Sequence, residues 1–325
     1  MAPVPPWLLD VVVYRVPLVT RFRGLVWRDG VLVRGPVGWA EFSPFWDYDD
    51  DVARRWWRAA REWAEQPPPA RVRDVVPVNV TVPAVDPDEA RAIVAGSGCT
   101  TAKVKVGEPG QLPADDVERV SAVRDALGPG GRIRVDANAA WDVDTAVGRI
   151  RDLDRAAAGL EYVEQPCPTV EDLVAVRRRV DVPIAADEAV RLAADPLAAV
   201  RAGACDVVVL KVQPLGGVRA CLELAERVGV PVVVSSALET SVGLAAGLAL
   251  AAALPELPHA CGLATARLLD ADVVAAPLLP VDGAIRVRRP EPDTDLLVRA
   301  ADVAHADGVT EQWHARLRAV IKEDR

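Results

Sequence analysis

The sequence predicts an α/β protein: a closed barrel of eight strand–helix units that carries a small α+β cap. Three observations predict it. From residue 76 onward a short β-rich run recurs about every 25 residues, eight times in all. Stretches of helical period, several closing on glycine, separate the runs. The runs are near-continuous apolar segments, as strands covered on both faces must be. With 325 residues and 51% hydrophobic content, the chain can bury such a core. Eight units favour closure over an open doubly wound sheet, whose glycine-rich phosphate loop is absent here.

Residues 1–75 form the N-terminal part of the cap. "WLLDVVVYRVPL" and "GLVWRDGVLVRGPVGWAEFSPF" read as two or three antiparallel strands, with "RDG" as a hairpin turn signal. "DDVARRWWRAAREWAEQ" reads as the helix that follows, and "EQPPPARVRD" as a linker. Residues 76–280 form the barrel. Its strands are expected at 76–82, 100–106, 132–138, 160–166, 182–188, 205–212, 230–236 and 259–265. "SVGLAAGLALAAALPEL" carries no charge before Glu256, but it is short for a membrane span and follows a strand, so it reads as a buried helix. Residues 281–325 return to the cap, with one more strand at 283–287 and a polar end holding one weak helix.

Net charge is −9 and the pI about 5.0, which argues against nucleic acid or an anionic membrane as partner. An anionic small molecule is still allowed, because a local site can be positive on an acidic protein. Cys99, Cys167, Cys205, Cys221 and Cys261 are odd in number and lack CxxC spacing. The start "MAPVPPWLLD" lacks a signal-peptide pattern. The cysteines therefore read as buried thiols of a cytoplasmic protein. His259, His305 and His314 show no metal-ligand spacing and read as structural or exposed. Oligomeric state is not legible.

Only four of the 38 basic residues are lysine: Lys103, Lys105, Lys211 and Lys322. Arginine stays charged, whereas a buried lysine can give up its proton and act as a base. Three of the four fall at strand ends, where an α/β barrel keeps its chemistry. The polar residues there are Lys103 and Lys105, Asp136 and Asn138, Glu164, Asp187 and Glu188, Lys211, and Ser235 and Ser236. From Asp136 through Glu164, Asp187 and Lys211 to Ser235 the steps are 28, 23, 24 and 24 residues, one strand–helix unit each. Lys103 and Lys105 are two apart and share a strand face, as do Asp136 and Asn138.

Three carboxylates on neighbouring strands, with no His or Cys, suit a hard divalent cation, Mg²⁺ first among them. The other reading is a set of carboxylates neutralised by Lys and Arg. A metal flanked by lysines suits removal of a proton from carbon next to a carboxylate. Lys103 beside Lys105 would lower the pKa of a basic Lys105.

"KVK", "DAN", "EQP", "DE" and "LK" in this order, with "GWAEFSPF" in the cap, resemble the enolase superfamily in its muconate lactonising enzyme subgroup. The resemblance covers nearly the whole chain and implies a (β/α)7β modified TIM barrel with an α+β capping domain. The short cap entry, Arg134 in "RIRVDANAAW", "SSALETSVGL" and "CGLAT" are most similar to the o-succinylbenzoate synthase family. That likeness implies Mg²⁺ on Asp136, Glu164 and Asp187, and Lys105 as the group that takes the α-proton and returns it to the leaving hydroxyl. It implies Lys211 as a cation opposite, and Lys103 tuning Lys105 and holding the substrate carboxylate. Arg134, Asn138, Ser235, Ser236 and Gly262 would line the substrate pocket. Glu188 would point away from the metal, Glu239 would meet a lysine or solvent, and Trp141 would pack by the site. N-Succinylamino acid racemisation or dipeptide epimerisation on the same machinery is the alternative. "CGLATARLL" offers no acid before Asp270 to grip a dipeptide's ammonium.

Overall fold

The computed structural model describes residues 7–323. Residues 1–6, on which part of the expectation about a leader rests, lie outside the described residues. The cap opens with an antiparallel meander of β1 (Asp10–Phe22), β2 (Leu25–Gly35) and β3 (Gly38–Phe42). The helix Asp50–Glu65 follows. The Asp49 carboxylate caps it by accepting from the Val52 N–H at 2.9 Å. Trp56, Trp57 and Trp63 share its buried face with four alanines.

"RDG" is not a turn. β2 runs straight through it, with Val16 opposite Arg28 and Tyr14 opposite Gly30. The chain reverses instead at Arg23 and Gly24, both with positive φ (52° and 75°), as a two-residue hairpin of matching twist requires. Gly30 serves packing: a Cβ there would lie 2.5 Å from Ser43 Cβ.

The expected strand 76–82 divides. β4 (Val75–Pro77) leaves the barrel, and β5 (Val80–Val82) enters it. Six further parallel strands follow in neighbour order: β6 (Thr101–Lys105), β7 (Arg132–Asp136), β8 (Val163–Glu164), β9 (Ile184–Ala186), β10 (Val207–Leu210) and β11 (Val232–Val234). The eighth expected strand is reduced to two bridges, Cys261 with Val78 and Gly262 with Ser235. They join the two edges of the seven-stranded sheet and close the barrel. Asn79 N donates to Cys261 O at 3.0 Å, and Gly262 N to Val234 O at 2.8 Å. Glycine eases the approach, because a Cβ at 262 would sit 2.5 Å from Ser235 Oγ and 3.2 Å from Ser235 Cβ.

Side-chain caps start several barrel helices, with Asp86, Asp142, Thr169 and Thr240 each accepting from a first-turn N–H. The alanine- and leucine-rich stretch forms the helix Ser241–Ala253, buried from Ser241 to Ala252. Among the described residues no helix is long and apolar enough to cross a membrane. All five cysteines are free and buried.

The C-terminal segment returns through β12 (Ala284–Arg286), antiparallel to β4. Two helices follow, Thr294–Ala306 and Thr310–Glu323, where the sequence led us to expect one. Gly308, at φ +71°, separates them. The second inserts Trp313, Leu317 and Val320 into the cap core, and Trp313 Nε1 donates to Asp29 Oδ1 at 3.1 Å. Its polar surface residues mask that amphipathic period in the sequence. Lys322 lies exposed in this helix.

Candidate active site

Strand register sets the site. Lys105 lies opposite Asp136, and Asp136 opposite Glu164, at the C-terminal ends of β6, β7 and β8. Asp187 and Lys211 each follow the last residue of their strands by one position. Each carboxylate meets a cation. Lys103 Nζ donates to both Glu164 oxygens at 3.0 and 3.1 Å, and it lies 3.2 Å from Asp136 Oδ2. Lys105 Nζ donates to Asp136 Oδ2 and to Asn138 Oδ1, both at 2.6 Å. Lys211 Nζ donates to Asp187 Oδ2 at 2.5 Å, and Arg191 Nε to Asp187 Oδ1 at 2.9 Å.

Burial divides the protonation behaviour of these groups. For Lys103, burial opposes the charge, but Glu164 and Asp136 outweigh it and raise the pKa. For Lys105, burial dominates; Asp136 opposes it and Lys103 reinforces it, and the pKa falls below the ordinary lysine value. The Phe22 ring of the cap, 5.4 Å from Nζ, helps to keep water from Lys105. Burial alone would raise Asp136, yet Lys105 and Lys103 hold it well below the usual carboxylate range. Burial likewise works against Asp187, but Arg191 and Lys211 lower it to about 2. Glu164 is raised to about 7 by burial and by Asp136, with Lys103 opposing.

Among the described residues no three acidic, His or Cys side chains have the arrangement of a formed metal site, and each of the three carboxylates is paired with a lysine. The donor set nevertheless fits a hard cation. Burial first, and then the neighbouring Asp136 and Asp187 carboxylates, push Glu164 toward neutrality, and only oxygen is offered.

A small, partly open cavity of about 30 Å³ sits over these groups. Lys103, Lys105, Lys211 and Asn138 line it, with Ser235, Ser236 and Gly262 on the side of β11. Phe22, Arg23 and Phe45 of the cap cover it, and Thr81, Ala237, Leu238 and Thr265 complete it. A larger hollow of about 700 Å³, lined by Leu222, Val230, Pro231 and Leu254, lies where β11 begins, at the opposite barrel end, away from the lysines. Size alone does not make it the site.

Arg134 is a correction. It precedes Asp136 on the same face of β7, but it is fully buried one layer deeper and does not reach the cavity. Its Nε donates to Glu161 Oε2 at 2.9 Å and its Nη1 to the Tyr162 hydroxyl and Ala260 O, both at 2.8 Å. His259 Nδ1 joins the cluster at 2.9 Å from Glu161 Oε1. Inward-pointing residues two apart occupy successive barrel layers, and only the upper layer meets the site. Arg134→Met is expected to destabilise the fold by about 3–5 kcal/mol, as removal of one partner of a buried pair does. Activity per folded molecule should stay near wild type; denaturant unfolding and active-fraction assay check both.

Glu239 is a second correction. It meets neither lysine nor solvent, and accepts from the Ala237 N–H at 2.8 Å. Glu188 turns from the cavity to accept from Asn138 Nδ2 at 3.2 Å and Arg191 Nη2 at 2.7 Å. Trp141 is packed near Gly107 and does not line the cavity.

Two contributors went unread in the sequence. Gln165 of "EQP" accepts from the Asp187 and Ala189 N–H groups at 3.0 and 3.1 Å and so shapes the turn that presents Asp187. Arg23 carries the cap's cation into the cavity, its guanidinium 4.3 Å from the Phe45 ring centroid. Non-glycine residues with positive φ gather here: Asn138, Ala139, Gln165 and Leu238. Backbone strain of this kind collects at functional sites.

Residues 86–292 match the enolase C-terminal domain-like family, and residues 13–64 match the enolase N-terminal domain-like family. The chain is 64% identical over 306 residues to an o-succinylbenzoate synthase of Thermobifida fusca (strain YX), covering 94% of each. It is 54% identical over 288 residues to an o-succinylbenzoate synthase of Mycobacterium tuberculosis (strain ATCC 25618 / H37Rv), covering 88% of this chain and 87% of that one. The fold is similar to a muconate lactonizing enzyme from Pseudomonas fluorescens complexed with muconolactone, with TM-score 0.77 and 21% identity over 90% of this chain and 97% of that one. It is also similar to the L-Ala-D/L-Glu epimerase from Bacillus subtilis, with TM-score 0.74 and 23% identity over 88% of this chain and 97% of that one. At these identities the two structures speak for the fold alone.

Proposed function

Because this chain belongs to the o-succinylbenzoate synthase family of the enolase superfamily, we propose that the site just described performs that family's dehydration with Lys105 as base. The activity is that of a carbon–oxygen lyase. It takes 2-succinyl-6-hydroxy-2,4-cyclohexadiene-1-carboxylate to 2-succinylbenzoate, in menaquinone biosynthesis. The observation that carries the mechanism is one cavity lined by Lys105 and Lys211 above three buried carboxylates. β6 and β10 are the second and sixth of eight barrel positions, so the two lysines approach a bound ring from opposite sides.

Asp136, Glu164 and Asp187 would hold Mg²⁺, which when bound supplies positive charge to the carboxylate whose α-carbon loses its proton. Lys105 takes that proton. Its lowered pKa favours the neutral amine, and Asp136 and Asn138 fix Nζ in place. The same nitrogen then hands the proton to the departing hydroxyl on that face of the ring. Lys211 stands opposite as a cation, and the positive charge of Lys103 adds to burial in lowering the Lys105 pKa and so favours its unprotonated form. Asn138, Ser235, Ser236 and Gly262 shape the pocket. The protein works in the cytoplasm on a small carboxylate, with neither nucleic acid nor membrane as partner.

The substrate carries a second carboxylate on its succinyl arm. The lysines serve the ring end, which leaves Arg23 as the cation for the arm. Arg23→Met is expected to raise KM about tenfold with kcat within about threefold, as loss of a charged hydrogen bond made equally in ground and transition states does. Steady-state kinetics checks it; an unchanged KM removes Arg23 from the site.

Two lysines on opposite sides of one cavity are also what two-base racemisation requires. Assaying dehydration and N-succinylamino acid racemisation side by side decides between the readings. Racemisation as the sole efficient activity would overturn ours.

A further inference from the structure

None of this chemistry uses Glu41, the acid of "GWAEFSPF", or Arg28, although each is only 2% exposed. Groups buried so deeply are costly unless fully bonded. Arg28 lies on β2 and Glu41 on β3, both in the cap, and both reach into the barrel at the loop after β11. Arg28 Nε donates to the Leu238 carbonyl at 2.8 Å. Its other nitrogens stay in the cap, Nη1 on the Asp29 carbonyl at 3.1 Å and Nη2 on Ser43 Oγ at 2.7 Å and the Ser43 carbonyl.

Glu41 grips the same loop two residues on. Its Oε2 accepts from Thr240 N at 3.0 Å, Thr240 Oγ1 at 2.6 Å and Gly243 N at 3.3 Å. These donors form the N-terminus of the helix Ser241–Ala253, whose dipole favours a carboxylate there. Its Oε1 is tied back to the cap by the hydroxyls of Tyr14 and Ser43, each at 2.7 Å.

The first grip falls on a strained residue and the second two residues beyond it. Leu238 has φ +66°, in the left-handed region that costs an L side chain energy and persists only where the surroundings impose it. Ser236, Ala237 and Leu238 line the cavity. Glycines on both sides make room for the contact. A Cβ at 243 would lie 2.8 Å from Glu41 Oε2, and one at 30 would lie 3.0 Å from the Tyr14 hydroxyl.

We propose that Arg28 and Glu41 are positioning residues, through which the cap clamps residues 236–240 and sets the shape of the pocket wall. The cap then does more than cover the cavity: it holds a barrel loop in a conformation the loop would not keep alone. The proposal rests on the dehydratase reading only for its choice of substrate, so it is tested by amide hydrogen exchange as well as by kinetics.

Arg28→Met, Arg28→Lys and Glu41→Gln are made in the full chain. For Arg28→Met and Glu41→Gln, KM should rise about tenfold with kcat within about threefold. Exchange across 236–243 should quicken about tenfold, while 101–105 in β6 keeps its wild-type rate. Arg28→Lys retains a charged donor and should recover much of the KM rise. If Arg28→Met does not fold, Glu41→Gln and Arg28→Lys, which keep the shape of the side chain or its charged donor, carry the exchange test instead. Unchanged exchange at 236–243, or quickening spread evenly over the barrel, would overturn the clamp. A wild-type chain that does not dehydrate the substrate sinks the functional reading instead, and the exchange result then decides the clamp alone.

Discussion

Lys105→Ala and Lys105→Arg are both expected to lose activity by about 10³-fold or more, near the upper range for a positioned general acid–base group. The pairing matters because the variants fail for one shared reason. Alanine removes nitrogen and charge together, whereas arginine keeps the charge but cannot give up a proton. If Lys105 acted only as a cation beside Asp136, the arginine variant would retain much of the rate. Its retention would therefore refute the base assignment. Both variants should still bind Mg²⁺, which titration calorimetry reads directly. Asp136 loses its 2.6 Å lysine partner in the alanine variant but keeps Lys103 at 3.2 Å.

Glu164→Gln is expected to move activity and stability in opposite directions. Glu164 lies between Asp136 and Asp187 in strand order, is 1% exposed, and has its pKa raised to about 7. A carboxyl with a raised folded-state pKa binds its proton more tightly folded than unfolded. Its ionisation therefore costs stability as pH rises from 4.5 through about 7. The neutral amide avoids that cost and can still accept from Lys103. The unfolding midpoint of the metal-free variant should equal or exceed wild type at neutral pH. Activity should fall by about 10³-fold, because one donor to the charge-stabilising cation is lost. Chelation of the wild type should mimic the loss, and added Mg²⁺ should reverse it there but not in the variant. A variant that keeps near-normal Mg²⁺ affinity and rate would remove Glu164 from the metal site.

Legibility in the sequence followed periodicity and residue chemistry. The barrel strands could be read because apolar runs bounded by helices recur at a regular step. The lysines and acids could be read because charge at the end of an apolar strand has few bland explanations. "RDG" misled because turn-forming residues are also those that permit close backbone approach, and only the neighbours of Gly30 tell the two apart. Arg134 misled because alternation tells which face a residue takes, not which layer of the barrel it fills. Glu41 and Gln165 stood inside the recognised motifs, but each bonds a segment far away in sequence, Thr240 for one and Asp187 for the other.

By itself the sequence determined the fold class, the order of the strands and the residue types gathered at their ends. These follow from local periodicity and from the cost of burying charge. Only the tertiary structure decided which of these groups meet, how burial separates the protonation of Lys105 from that of Lys103, and where the cap presses on the barrel. Such properties depend on through-space distances and on exclusion of water, and neither is a property of any local stretch of chain.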